Sequence, residues 1–327
     1  MQTRTLGRSG PTISAVGLGC MGMSDFYGPA DQAESIATIH AALERGITLL
    51  DTGDFYGMGH NELLLRDALR GVPRDSYQLS VKFGAQRGPD RGWIGYDARP
   101  AAVKTALAYS LQRLGVDYID VYRPARLDPN VPIEETVGAI ADMVKAGYVR
   151  HVGLSEVGAA TVRRAHAVHP IVDLQIEYSL ISRSVERTIL PTLRELGIAV
   201  TAYGVLSRGL LSERAADIAR TRSRFPRFQG ENLAHNLSLV ESLRAIASEK
   251  GITVPQLAIA WVESRGDDII PLIGARRRER LAEALGALDV KLSSSDLSRI
   301  DQAVPAGAAK GERYDAHAMQ TLDSERN

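Results

Sequence analysis

Cysteine is nearly absent: Cys20 is the only one in 327 residues. No intrachain disulfide can form, and one thiol cannot complete a metal site, which fits a reducing compartment. Net charge is missing too, with 39 basic residues against 39 acidic ones. That balance argues against nucleic acid or an anionic membrane as the main partner. No apolar run approaches the ~20 residues that a membrane helix needs. The opening Met1-Gln2-Thr3-Arg4-Thr5-Leu6 has no apolar signal core, so a cytoplasmic protein is expected. No repeat, linker or low-complexity tract divides residues 1–327, and a single domain is expected. The HExxH, GxSxG and phosphate-loop patterns do not occur.

What is present is alternation. Short β-branched runs are predicted as strands at Val16–Gly19, Thr48–Leu50, Tyr77–Val81, Tyr118–Tyr122, Val149–Leu154, Val172–Gln175, Ile198–Ala202 and Asp268–Pro271. Helical patterns follow them, from Asp31 to Gly46, then Asn61–Leu69, Pro100–Leu114, Ile133–Ala146, Ala159–His166 and Glu186–Leu196. Further helices are predicted near Leu233–Lys250, at Val254–Glu263 and at Arg278–Leu285. Asp31 with Glu34 three residues on has the form of a capping box. Thr3 to Ile13 reads as a small hairpin, Gly204 to about Gly230 as an insertion, and the tail from Pro305 as a surface segment. Eight β-then-α units with fully apolar strands predict an α/β fold, a closed (β/α)8 TIM barrel, more than an open doubly wound sheet.

Two strand ends carry chemistry. Thr48-Leu49-Leu50 runs into Asp51, and Tyr56 follows five positions later. Leu79-Ser80-Val81 runs into Lys82. Barrel enzymes work at the ends of their strands, so parallel neighbours would gather Asp51, Tyr56 and Lys82 at one mouth. A phenol is too weakly acidic for easy proton exchange at neutral pH. A lysine cation beside it would favour the phenolate, and a carboxylate would keep that lysine charged. The three together are expected to hand a proton to a carbonyl oxygen.

Gly17-Leu18-Gly19-Cys20-Met21-Gly22 matches the dinucleotide fingerprint in its glycines. That motif must open a helix at once, and Ser24 to Pro29 intervenes. Gly19, Cys20 and Met21 are instead expected where a loop passes close to a bound cofactor. Arg276-Arg277-Arg278-Glu279-Arg280 after the last strand reads either as a solvated helix start or as a phosphate clamp. His166 and His169 share a helix face without further ligands and read as surface residues.

Taken together, the pattern resembles the aldo-keto reductase superfamily over nearly the whole chain. The segments that carry the resemblance are Asp51 to Gly57, Val81 to Gly84, Gly153 to Ser155, Leu174 to Ser179, Thr201 to Gly204 and Pro271 to Glu283. Gly311-Glu312-Arg313-Tyr314 further resembles its bacterial and plant branch. The resemblance implies NADPH extended across the barrel mouth, with no metal. Ser155 and Gln175 would hold the carboxamide, and Tyr203 would stack on the nicotinamide. Gly204, Val205, Leu206, Ser207 and Arg208 would cover the pyrophosphate. Gly274, Ala275, Arg276 and Arg280 would take the 2′-phosphate end, with Glu283 near the adenine. Arginine suits a dianionic phosphate, which favours NADPH over NADH.

Three departures from the family pattern stand out. Ala125 occupies the place of the usual histidine, which donates a hydrogen bond to the substrate carbonyl. Glu156 stands where an amide is common beside the nicotinamide, and Ala284 replaces an asparagine at the adenine. Arg123 or Arg126 would supply a substitute donor, or a water would fill the gap; alternatively, Arg126 pairs with Asp128 or Asp120 outside the site. Met23, Tyr27, Trp93 and the insertion are expected against the substrate, although Tyr27 and Trp93 are equally readable as loop packing. The resulting expectation is NADPH-dependent reduction of a small aldehyde or ketone, a bulky or planar one, pyridoxal-type compounds included. The alternative is an NADPH-sensing module with little turnover, which the loss of the histidine favours.

Overall fold

The computed structural model describes residues 1–326. It opens with a hairpin, β1 (Thr3–Thr5) antiparallel to β2 (Thr12–Ser14). The alternating body follows as β3 (Gly17–Gly19), α1 (Gln32–Glu44), β4 (Leu49–Gly53), α2 (His60–Ala68) and β5 (Gln78–Phe83). A second hairpin, β6 (Ala85–Arg87) and β7 (Trp93–Tyr96), interrupts before α3 (Pro100–Leu114). The body resumes with β8 (Ile119–Pro124), α4 (Ile133–Lys145), β9 (Val149–Ser155), α5 (Ala159–Val168), β10 (Ile171–Glu177), α6 (Ile189–Leu196) and β11 (Ala199–Tyr203). The insertion carries α7 (Ala215–Ala219), and α8 (Gly230–Glu249), α9 (Val254–Glu263), β12 (Ile269–Gly274) and α10 (Arg278–Leu285) complete the circuit. Two further helices, α11 (Ser294–Ala303) and α12 (Ala316–Gln320), end the chain.

Strands β3, β4, β5, β8, β9, β10, β11 and β12 close in that order, all parallel, into the (β/α)8 barrel that the alternation predicts. Several strands run past their apolar stretch: β4 to Gly53, β5 to Phe83, β8 to Pro124, β12 to Gly274. Asp51, Lys82 and Arg123 therefore lie within strands rather than after them. Hydropathy stops signalling there because the barrel lining turns polar, while the backbone pairing continues.

The lining is layered. At the N-terminal end Leu49, Val121, Val172, Ala199, Ile270 and Leu272 form an apolar plug, sealed below by Leu6 and Ile13 of the hairpin region. Above it lies a polar layer. Arg123 Nη1 donates to Asp173 (2.8 Å) and Thr201 (3.2 Å), and its Nη2 donates to Ser80 (2.9 Å). Gly153 leaves room for that pair, since a Cβ there would lie 2.5 Å from Asp173 Oδ1. A buried ion pair survives only with its hydrogen bonds satisfied, and the two hydroxyls do part of that.

Three local expectations need correcting. Asp31 caps α1 by accepting from the Glu34 amide, but Glu34 does not complete a capping box. Its carboxylate instead accepts from the amide and guanidinium of Arg278, stapling α10 to α1. Helix α6 begins at Ile189, three residues late, after a separate turn at Ser184–Glu186. The tail from Pro305 does not stay on the surface, because Arg313, Leu322 and Ser324 are buried. Arg313 and Ser324 reach Glu156, just beyond the end of β9, so the tail crosses the C-terminal mouth.

Candidate active site

Adjacent strands deliver the central group. Asp51 and Lys82 are two register positions apart on β4 and β5, where Asp51 pairs with Ser80 and Gly53 with Lys82. Lys82 Nζ donates to Asp51 Oδ1 (2.5 Å) and to Gln175 Oε1 (2.7 Å). Gln175 Nε2 and Ser80 Oγ both donate to Asp51 Oδ2, at 2.7 and 2.8 Å. The carboxylate is thereby satisfied by three side chains in a wholly buried setting. Through Ser80 it also joins the Arg123 layer beneath.

Tyr56 sits over this group at 5 % exposure. Lys82 Nζ lies 5.3 Å from its ring centroid, and no hydrogen bond joins the lysine to the phenol. Burial first, and the Asp51 charge second, hold the phenol well above its ordinary pKa, while the Arg126 charge pulls it down. Burial also lowers the Lys82 pKa against the opposing pull of Asp51. The lysine thus bonds the carboxylate and Gln175 rather than the phenol, and the phenol is held above its ordinary range instead of the expected lowering. Gly53 makes the approach feasible, since a Cβ there would meet Lys82 Cβ and the Tyr56 ring at 3.4 Å each.

A rim of aromatics flanks the phenol. Phe55 packs edge-on at 4.7 Å between ring centroids, and Phe26 does so at 6.3 Å. Trp93, on β7, stacks on Phe26 at 6.0 Å and is half exposed, with Arg87 4.6 Å above it. Trp93 thus belongs to the mouth, and Phe26, Phe55 and the β6–β7 hairpin are rim elements that pattern reading missed. The local signals were Phe55 inside the Asp51 to Gly57 segment and the alternation Trp93-Ile94-Gly95-Tyr96 after a turn. Met23 is buried, and Tyr27 lies under the guanidinium of Arg222 at 4.7 Å, joining the first loop to the insertion.

The other side of the mouth is built on carboxylates. Glu156, at a left-handed φ of 52°, accepts both Nη atoms of Arg313 at 3.0 and 2.8 Å. It also accepts from Tyr203 (2.6 Å), Ser324 (2.7 Å) and the Glu177 amide (3.0 Å). Burial pushes its pKa up, but Arg313 outweighs that and holds it well below the usual carboxylate range. Glu177 is likewise buried and held low by Arg208, Arg313 and Arg227. Arg208 and Arg227 come from the two ends of the insertion and Arg313 from the tail, so one carboxylate at the end of β10 ties both segments together. Tyr203 shares its hydroxyl with Tyr314 of the tail at 3.0 Å.

Several expected cofactor residues stand differently from their expected roles. Ser155 and Gln175 are neighbours in register, but both ends of the Gln175 amide are engaged by Asp51 and Lys82. Glu156 is fully buried, and its carboxylate is taken up by Arg313, Tyr203 and Ser324. Cys20 is also fully buried, its amide on Asp51 O, because it closes the core below the loop. Arg123 is corrected most sharply: it lies a layer below Asp51 and cannot meet a substrate. Val205 and Ala284 pack into the core, whereas Gly19 and Met21 are partly exposed. After Gly204 and Leu206, Ser207 and Arg208 adopt left-handed φ of 46° and 56°, a strained turn of the kind found around ligands. At the end of the adjacent strand β12, Gly274 is exposed and Ala275 buried. Arg276 is held by the carbonyls of Gly28 and Pro29, and Arg280 pairs with Glu283. Ala125 is buried, its amide on Phe83 O. Arg126 pairs with neither candidate carboxylate, since Asp120 takes Arg74 and Asp128 caps backbone amides.

Comparison with known proteins accounts for this arrangement. A family model described as "Aldo/keto reductase family" matches residues 15–305. "Probable aldo-keto reductase 1" of Glycine max is 42 % identical over 321 residues, spanning 96 % of this chain and 92 % of that protein. Among solved structures, the glycerol dehydrogenase AKR11B4 from Gluconobacter oxydans superposes with a TM-score of 0.81 at 26 % identity, covering 92 % of this chain and 94 % of its own. The thermostable aldo-keto reductase Tm1743, solved with the inhibitor epalrestat, gives 0.77 at 28 % identity over 93 % and 100 %.

Proposed function

The chain belongs to the aldo/keto reductase family, and we propose that within it this protein reduces a small aldehyde or ketone with NADPH, Tyr56 serving as general acid. Membership makes it an oxidoreductase of carbonyl compounds that works with a nicotinamide cofactor. The observation that supports the finer reading is the buried Asp51–Lys82–Gln175 cluster directly beneath Tyr56. The chemistry of the donors fits an anionic dinucleotide. Arg276 and the exposed Arg277 stand at the start of α10, and Gly274 leaves open space beside them. Gly274, Ala275, Arg276 and Arg280 would hold the 2′-phosphate end, and the strained turn through Arg208 would face the pyrophosphate.

When bound, the dihydronicotinamide supplies the hydride. Tyr56 holds the proton, since a phenol kept well above its ordinary pKa does not lose it at neutral pH. The oxyanion of the reduced carbonyl is a stronger base than the phenolate and takes that proton. Lys82, near the ring, supports the phenolate as it forms, and Asp51 offsets the burial that disfavours the lysine charge. The aromatic rim of Phe26, Phe55 and Trp93 excludes water on one side and offers flat apolar surface to the substrate.

The test is NADPH oxidation with a panel of activated aldehydes and diketones, comparing wild type with Tyr56→Phe. The expected result is turnover by the wild type and a loss on the order of 10²-fold or more in kcat for the variant. NADPH binding, followed by fluorescence, should stay within a few-fold. If both proteins bind NADPH and neither turns over, the second reading leads, a cofactor-sensing module. Ala125 favours it, because a methyl group cannot donate to a carbonyl oxygen.

A further inference from the structure

Arg126 has a position and an environment that the proposed reaction does not use. It lies two residues beyond the end of β8 and follows Ala125, whose amide is pinned to the carbonyl of Phe83, next to Lys82. The side chain is partly buried. Its Nη1 donates to the Ala125 carbonyl at 2.6 Å, and its Nε is buried with no partner among the described residues. Among the described residues it makes no ion pair, whereas the guanidiniums of Arg123, Arg208 and Arg313 rest on Asp173, Glu177 and Glu156. Its charge is felt by the phenols of Tyr56, Tyr203, Tyr314 and Tyr96 and by the Glu156 carboxylate, whose oxygens are already taken by Arg313, Tyr203 and Ser324. A cation partly withdrawn from water with no carboxylate in direct contact is costly unless something anionic completes it.

The cofactor phosphates do not supply that anion. The arginines suited to them follow β11 and β12, and β8 lies four strands from β12 in either direction round the barrel. Arg126 therefore stands across the mouth from them, on the Tyr56 side. We propose that Arg126 is a carboxylate anchor and that the substrates are carbonyl compounds with a carboxylate adjacent to the carbonyl carbon, 2-oxo acids and their aldehyde counterparts. The guanidinium fork takes the carboxylate and leaves the carbonyl oxygen to Tyr56. This rests on the reductase reading and names its substrate class.

The experiment compares phenylglyoxylate with its methyl ester as substrates for wild type, Arg126→Gln and Arg126→Lys. A charge-assisted pair lost at a partly buried site corresponds to roughly 30- to 100-fold. Arg126→Gln should lower kcat/KM for the acid by about that factor, mainly through KM, and leave the ester within about 3-fold. Arg126→Lys should recover part of the loss, since charge is restored without the fork. Equal losses on acid and ester, carried by kcat, would overturn the proposal and make Arg126 a donor to the carbonyl oxygen. A second measurement needs no variant: inhibition of aldehyde reduction by phenylacetate against phenylacetamide. Phenylacetate should bind at least ~10-fold better, and parity sinks the anchor. If no compound is turned over, the reductase reading fails separately, and calorimetric binding of the same two probes to the NADPH complex still decides the anion site.

Discussion

Replacing Arg313 by Met would remove the cation that holds the tail across the barrel mouth. Arg313 is 5 % exposed and forks onto both oxygens of Glu156, with further contacts to Glu177 and Glu325. Methionine keeps much of the volume and none of the charge. Glu177 retains Arg208 and Arg227, so its loss is partial. Glu156 retains neutral hydrogen-bond donors, Tyr203, Ser324 and one amide, and the more remote charge of Arg126. Stripping one partner from a buried pair costs about 3–5 kcal/mol, and those donors place the expected loss at the lower end, about 3 kcal/mol. Unfolding entropy of roughly 2 cal/mol/K per residue over 327 residues is about 0.7 kcal/mol/K, so Tm should drop by about 4 °C. The pH dependence has a definite sign. In the wild type Glu156 is held low, so its contribution is present above its unfolded pKa and lost as pH falls through the folded value. Without Arg313 burial prevails, the pKa rises above the unfolded value, and stability falls as pH increases past it. The gap between the two proteins should therefore be widest at neutral pH and narrow towards about pH 4. Urea unfolding followed by circular dichroism and fluorescence, with coincident transitions, measures it. The double variant Glu156→Gln/Arg313→Met should recover at least half of the loss, since no charge is left stranded. A gap below about 1 kcal/mol at neutral pH, or one that does not change with pH, would refute the reasoning.

Two more consequences are open to direct measurement. Burial, with the Glu62 charge adding to it, pushes the Asp54 carboxyl up to about 7. The folded protein then holds a proton that the unfolded chain has lost between about pH 4 and 7, so stability should fall across that window. Asp54→Asn should flatten the slope and stabilise the protein by about 2 kcal/mol above pH 7, and unchanged urea midpoints on either side of the window would count against this. Cys20 is fully buried, and burial followed by the Asp51 charge raises its thiol pKa above the ordinary range. Iodoacetamide in mildly alkaline buffer should leave the native protein unlabelled by mass spectrometry and label it fully in urea, and an adduct on the native protein would contradict the burial.

The eight barrel strands were legible because each is a short β-branched run with helical periodicity on both sides. Local chemistry at strand ends was legible for the same reason: Asp51 and Lys82 break an apolar run, and parallel order then brings them together. The hairpin that presents Trp93 was not read, although its turn and alternation are present, since nothing local says that it flanks a site. Arg123 shows the limit from the other direction. Its polarity suggested a place at the mouth, but residue type alone does not say which layer of a barrel a side chain occupies. The tertiary structure set that by pairing it with Asp173 on β10, two strands away in the barrel. Glu34 looked like half of a capping box and instead bonds Arg278, 244 positions on. The tail looked like a surface segment because its composition is polar. Its charges find partners only in three dimensions, Arg313 on Glu156 across 157 positions. Hydropathy patterns report interactions within a few residues of each other, and they made the barrel legible and singled out Asp51, Tyr56 and Lys82 as candidates. Long-range ion pairs leave no periodic trace, so the crossing of the mouth by the tail and the partly buried place of Arg126 after β8 were decided by folding alone.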